Sequence, residues 1–157
     1  MVLPGQGESH AFTVALGPYG SQPLADFFNV NRVSERVVEF YRDYQLPAAS
    51  GAAPAQFRLI KRYEFKPGEY LFELSVTVDS GYAANALNVN GAAYTLEFGP
   101  QIGPKFKKLS QQYDYRKYVS YAEGKRKNEK VKENSTVSLA NRVSWAAISG
   151  KYFSFIA

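Results

Sequence analysis

The stretch that most constrains the fold lies near the middle of the chain, where two alternating runs meet at a Pro-Gly pair. Phe57, Leu59, Tyr63 and Phe65 alternate with Arg58, Arg62 and Glu64. Lys66-Pro67-Gly68-Glu69 follows, and then Tyr70, Phe72, Leu74, Val76 and Val78 alternate with Glu73, Ser75 and Thr77. Successive side chains of a strand point to opposite faces, so a period of two specifies strands with one apolar and one polar face. Proline presets φ at the second position of a turn and glycine accepts positive φ at the third, so Lys66–Glu69 reads as a type II turn. Phe57 to Asp79 is therefore expected to form an antiparallel hairpin whose apolar face the rest of the chain must cover. Lys61 is the exception, a charged residue in phase with the apolar set. It is expected near a sheet edge, or with its stem packed and its ammonium in water.

The flanking sequence extends this β pattern. Phe12, Val14 and Leu16 share one face of a strand over Ala11–Leu16, which Gly17-Pro18-Tyr19-Gly20 ends. Pro23–Phe28 reads as a short helical turn, with Pro near its start. A longer strand is expected over Arg32–Tyr44, and a loop over the small residues of Leu46–Ala55. Asn90-Gly91 is a turn signal leading into Ala92, Tyr94, Leu96 and Phe98. After the Gly99–Pro104 break come a helical turn at Lys105–Leu109 and a strand over Tyr113–Tyr121, with Tyr113, Tyr115, Val119 and Tyr121 on one side. Gly124–Glu133 reads as a charged hairpin tip or loop, and Val137–Leu139 as a short strand.

The last residues break the pattern. Trp145, Ile148, Tyr152, Phe153 and Ile156 fall on one face of a 3.6-residue period, which predicts a C-terminal helix. Trp145, Ile148, Tyr152 and Phe153 would dock it on the sheet, although Gly150 costs such a helix about 1 kcal/mol relative to Ala. The expected fold class is mainly β, antiparallel, with this helix packed on the sheet. The length of 157 residues suits a single domain, with residues 1–10 as a flexible tail.

Composition narrows the chemistry. Apolar residues make up 45% and charged residues 21%, a globular balance, and 12 Tyr and 11 Phe favour strands. There is no cysteine, which excludes disulfides and thiolate metal sites. His10 is the one histidine and lies in the tail, so histidine-based triads and metal sites lack their parts. Glu64, Glu69 and Glu73 lie on or beside the hairpin. A carboxylate pair facing a cleft would suit glycoside hydrolysis, but exposed strand acids beside Arg58 and Arg62 suit cross-strand ion pairs better. Gly99 and Gly103 do not sit in a strand-to-helix phosphate loop, and Asn134-Ser135-Thr136 is a short glycosylation-type triplet with no further support.

Charge is unevenly placed. Between Lys105 and Lys132 there are ten Lys and Arg against three acids, a net of +7 in a chain whose total is +5. Lysines interleaved with tyrosines could track phosphates and stack bases. The tyrosines are in phase with a buried strand face, however, so a solvated loop or one meeting anionic lipid fits better than nucleic acid.

The hairpin FRLIKRYEFKPGEYLFELSVTV, the stretch YTLEFGPQIGPKF and the end WAAISGKYFSFIA together resemble the large first periplasmic domain of YidC-type membrane protein insertases. That resemblance implies a β-supersandwich placed between a first transmembrane helix and a five-helix membrane core of a bacterial inner-membrane protein. It implies no enzymatic role and no cofactor, with insertion carried out in the membrane core. Its partners would be the Sec translocon or its accessory subunits, and nascent membrane proteins. Lys125, Arg126, Lys127, Lys130 and Lys132 would form the contact surface toward such a partner or anionic lipid. In the family the domain continues beyond the matching end, so this chain looks like the middle of the domain. An uncovered sheet face would then favour self-association or a collapsed single sheet. The rival expectation is a carbohydrate-binding module on a similar sandwich, taking sugars on Tyr and Trp faces.

Overall fold

The computed structural model describes residues 10–46, 55–80, 87–99, 116–132, 135–139 and 142–157. They form strands and turns, with no helix among the described residues and hence none long and apolar enough to cross a membrane. The chain divides into two compact units, one of Ala11–Phe98 and one of Gly99–Ala157 with the N-terminal ten residues.

The Ala11–Phe98 unit is built on the expected hairpin. Strand β1 covers Thr13–Leu16, β2 Asn29–Arg32, β3 Val37–Leu46, β4 Ala55–Phe65, β5 Phe72–Asp79 and β6 Tyr94–Glu97. Four of these form an antiparallel sheet in the order β2-β3-β4-β5, and β1 pairs with β6 as a separate ribbon. The register places Tyr44 opposite Phe57, and Leu59 opposite Val78, on one face. Val14 and Leu16 of the ribbon lie opposite Leu96 and Tyr94. The core forms where these faces meet: Val14, Phe57 and Leu59 are buried, and Leu16, Leu24, Tyr44, Val76, Val78 and Leu96 pack against them. The ribbon is thus the cover that the apolar hairpin face required.

Several expectations in this unit are revised. The β4–β5 turn keeps its Pro-Gly geometry, with Gly68 at a φ of 71° and the Glu69 amide bonded to the Lys66 carbonyl. Tyr70 lies in the loop, not the strand, and is fully exposed. The single strand expected over Arg32–Tyr44 is split. The Ser34 hydroxyl accepts the Arg36 amide, the chain turns, and Val33 and Ser34 donate to the Val37 carbonyl. Pro23–Phe28 is extended instead of helical: Pro23 bridges Ala15, and the Leu24 amide donates to the Val14 carbonyl at 2.8 Å. Lys61 sits on a central strand, not at an edge. Its ammonium donates to the Phe12 carbonyl and lies over the Phe28 ring. Asn90-Gly91 turns the chain as expected, with Val89 bridged to Ala92.

In the second unit, β7 covers Lys117–Ala122, β8 Lys125–Glu129, β9 Trp145–Ser149 and β10 Ser154–Ile156. They form an antiparallel sheet in the order β10-β9-β7-β8. The predicted C-terminal helix is therefore absent and is replaced by the β9–β10 hairpin. Gly150 is the reason. Its amide donates to the Phe153 carbonyl at 2.8 Å, closing a four-residue turn, and Ala146 and Ala157 exchange both backbone bonds at the open end. The run WAAIS is apolar at every position but the last, so it satisfies a helical and an extended pattern alike; a glycine at its end decides in favour of two short strands.

The remaining differences are local. Gly124–Glu133, expected as a charged hairpin tip or loop, holds the tip only at its start and Lys125–Glu129 is a strand, because Glu123 and Gly124 take φ values of 50° and 74°, the mirror-image turn that matches strand twist. Val137–Leu139 is not a strand. Tyr113, Tyr115, Asn134 and the segment Lys105–Leu109 lie outside the described residues.

Candidate functional site

The polar face of the β2-β3-β4-β5 sheet carries the acids considered for catalysis. Glu64 and Glu73 are directly opposite across β4 and β5. Lys66 Nζ lies 3.1 Å from Glu64 and 3.4 Å from Glu73, which relieves the repulsion of two like charges in facing positions. Lys66 holds the Glu64 carboxyl below the usual carboxylate range, first by its hydrogen bond and then by its charge. Arg62 bonds Glu39 at 2.9 Å, and Arg58 grips Asp43 with two bonds of 2.7 and 2.9 Å. A general acid needs a carboxyl pushed upward, and Lys66 and Arg58 hold the Glu64 and Asp43 carboxyls below the usual range. The arrangement is a cross-strand ion-pair lattice, as the alternating sequence implied. His10 is exposed.

The basic segment resolves into a different pattern. Register puts Lys125, Lys127 and Glu129 on one face of the β10-β9-β7-β8 sheet, and Arg126 and Asn128 on the other. Lys130 and Lys132 follow the end of β8. The linear run thus spreads over both faces and both ends of the sheet. Lys127 pairs with Glu129 at 2.8 Å, and the Ser120 hydroxyl donates to the same carboxylate at 2.7 Å. Those two partners, Lys127 first, hold the Glu129 carboxyl below its ordinary range.

The residues expected to dock a helix have separate fates. Trp145 stacks on Tyr121 of the neighbouring strand, with centroids 5.4 Å apart and planes 4° from parallel. Ile148 pairs with Phe155 and Tyr118 on the opposite face. With Val131, Val137 and Leu139 these three line an apolar hollow of about 210 Å³. Tyr152 and Phe153 stand in the β9–β10 turn, 78% and 73% exposed. Sequence reading missed this exposed pair; the signal was Gly150 immediately before Lys151-Tyr152-Phe153. Tyr118 and Tyr121 differ by an odd number of residues on one strand and so face opposite sides, which gives no continuous stacking platform. Among the described residues no group of three or more His, Cys, Asp or Glu could hold a metal ion.

Sequence comparison finds two related proteins. The chain is 37% identical over 153 residues to a membrane protein insertase YidC from Treponema denticola, covering 94% of the chain and 26% of that protein. It is 30% identical over 189 aligned positions to a membrane protein insertase YidC from Treponema pallidum, covering 99% of the chain and 30% of that protein. The chain therefore spans between a quarter and a third of the length of these relatives. No protein-family model matches the chain, and no solved structure matches it.

Proposed function

The chain is homologous to a segment of YidC-type membrane protein insertases, and from that premise we propose that it is a periplasmic domain of such an insertase, or part of one. In this reading it is the large first periplasmic domain of a bacterial inner-membrane protein. It works without catalysis, as a scaffold and docking module that assists the insertion and folding of membrane proteins. Its antiparallel sheets are part of a β-supersandwich. Its partners are Sec translocon or accessory subunits and nascent membrane proteins, met through the basic second unit, where Lys125, Arg126, Lys127, Lys130 and Lys132 lie. The observation that carries the reading is a similarity running through nearly the whole chain. The antiparallel sheets of both units fit it, and so do the ion-paired acids of the first unit.

The absence of cysteine offers a direct test. Lys125→Cys is introduced into the full-length insertase in cells, and a membrane-impermeant maleimide is added from outside the inner membrane. Labelling above the parent protein is expected. Labelling only after the inner membrane is breached overturns the periplasmic placement. Photo-crosslinkers at Arg126 and Lys132 then test docking: adducts with Sec subunits are expected, and adducts with none of them sink that part of the reading.

A further inference from the structure

One end of the β10-β9-β7-β8 sheet gathers side chains that lie far apart in sequence. β7 begins at Lys117, opposite Ser149 at the end of β9. β8 runs the other way and ends at Glu129, opposite Tyr118. Lys130 therefore leaves the sheet beside Lys117. The turn between Ser149 and Ser154 closes at this same end. It presents Lys151, Tyr152 and Phe153, with the Lys151 ammonium 5.1 Å from the centre of the Tyr152 ring. The acid of β8, Glu129, is turned onto Ser120 and Lys127. The opposite end holds the Glu123-Gly124 turn, Lys125 and Arg126.

We propose that this end of the sheet docks on an anionic bilayer surface, with Tyr152 and Phe153 entering the headgroup layer and Lys130 and Lys151 meeting the acidic headgroups. Charge supports it first: Gly99–Ala157 carries twelve Lys and Arg against four acids, a net of +8. Basic segments of this kind are drawn to anionic leaflets within a Debye length. The rings supply the second part. A Tyr and a Phe in succession on an exposed turn, preceded by lysine, match the water–hydrocarbon boundary, where rings are half-immersed and lysine stems reach back to the headgroups. Nucleic acid would need rings spaced along one face for successive bases. Here Trp145 is stacked on Tyr121, and Tyr118 faces away from both. An acidic protein would engage the lysines but leave the apolar tip unused. The inference stands on the sheet's own geometry and does not depend on the periplasmic reading.

The test is vesicle flotation of the full 157-residue chain with phosphatidylcholine alone and with phosphatidylcholine containing phosphatidylglycerol. Binding to the anionic vesicles is expected, falling as salt is raised. With about fivefold per lysine at low salt, Lys130→Gln with Lys151→Gln lowers affinity about 25-fold. Tyr152→Ser with Phe153→Ser also releases the chain, with its circular dichroism unchanged because both side chains are exposed. Lys125→Gln with Arg126→Gln removes the same charge at the far end and leaves binding nearly intact. No binding to anionic vesicles at low salt overturns the proposal. Equal losses from the two charge-removing pairs reduce it to diffuse attraction and overturn this docking end. Competition by poly-glutamate, with no effect of the aromatic substitutions, overturns it in favour of an acidic protein partner.

Discussion

The two units use charge in opposite ways. Ala11–Phe98 holds seven Lys and Arg against nine acids, a net of −2, and four of those cations sit in ion pairs across or along its sheet. Gly99–Ala157 holds a net of +8, and Lys127 pairs there with Glu129. Their apolar residues differ in parallel. The first unit has a ribbon laid over its sheet and a side chain, Leu59, with no exposure at all. The second has Val119, Ser120 and Gly150 at its most buried points and leaves Tyr152, Phe153 and Ile156 largely in solvent. Charges balanced within a unit secure a sheet, whereas a net positive excess beside bare aromatics is available to something outside the chain.

The largest effect expected from this contrast is in the core of the first unit. Leu59→Ala removes a fully buried side chain beneath the β1–β6 ribbon and should destabilise by about 2–5 kcal/mol. The urea midpoint measures it, and a loss below about 1 kcal/mol would mean that the ribbon does not close over the sheet. Trp145→Ala should cost less, about 2 kcal/mol, because the ring is only half-buried and its main contact is the stack on Tyr121. A loss as large as that of Leu59→Ala would show a second closed core around Trp145.

The same contrast explains what was legible in the sequence. The Phe57–Asp79 hairpin could be read because one of its faces is buried and the other wet, which writes a period of two into residue type. Glu64 and Glu73 could be read as paired for the same reason. Lys61 could not be placed, since its partner is a backbone carbonyl 49 residues away. In the second unit Lys125–Glu129 is polar throughout, so no periodicity marks it as a strand, and WAAIS is nearly apolar throughout, which marks both helix and strand. The basic and aromatic end of that sheet was hidden for a further reason: register assembles Lys117, Lys130 and Lys151 from three segments, and no linear run contains them.

An alkaline titration separates the units next. Burial, with Asp26 beside it, pushes the Tyr44 hydroxyl up to about 12, and burial raises Tyr63 as well. A group whose folded pKa lies above its unfolded value, about 10 for tyrosine, stabilises the fold fully below that value. The contribution is then lost as pH climbs toward about 12. Lys61 works in the other direction: burial lowers its pKa, so its penalty is relieved as pH rises toward its unfolded value of about 10.4. Tyr44→Phe should therefore flatten the fall in stability above about pH 10, and an unchanged alkaline limb would show that Tyr44 is not held as the structure places it.

The smallest effect comes from the lattice itself. Lys66→Gln leaves Glu64 and Glu73 facing each other without the ammonium that bridges them, Arg62 remaining 3.8 Å from Glu64, so the Glu64 carboxyl should rise toward its ordinary pKa. In the unaltered chain the lowered Glu64 pKa stabilises the fold above the unfolded value of about 4.3, and that contribution is lost as pH falls below it through the lower folded value. In the variant the repelling pair is relieved by protonation, so stability should hold or rise over the same window. Lys127→Gln makes the matching change in the second unit. There Glu129 keeps the Ser120 hydroxyl and faces no second carboxylate, so its acid limb should flatten without changing sign. Urea midpoints of both variants near neutral pH and near pH 4 decide the matter. If the two variants respond to acid alike, Lys66 does not serve as the bridge between two acids, and the contrast between a balanced lattice and a surface of net positive charge fails at its most local point.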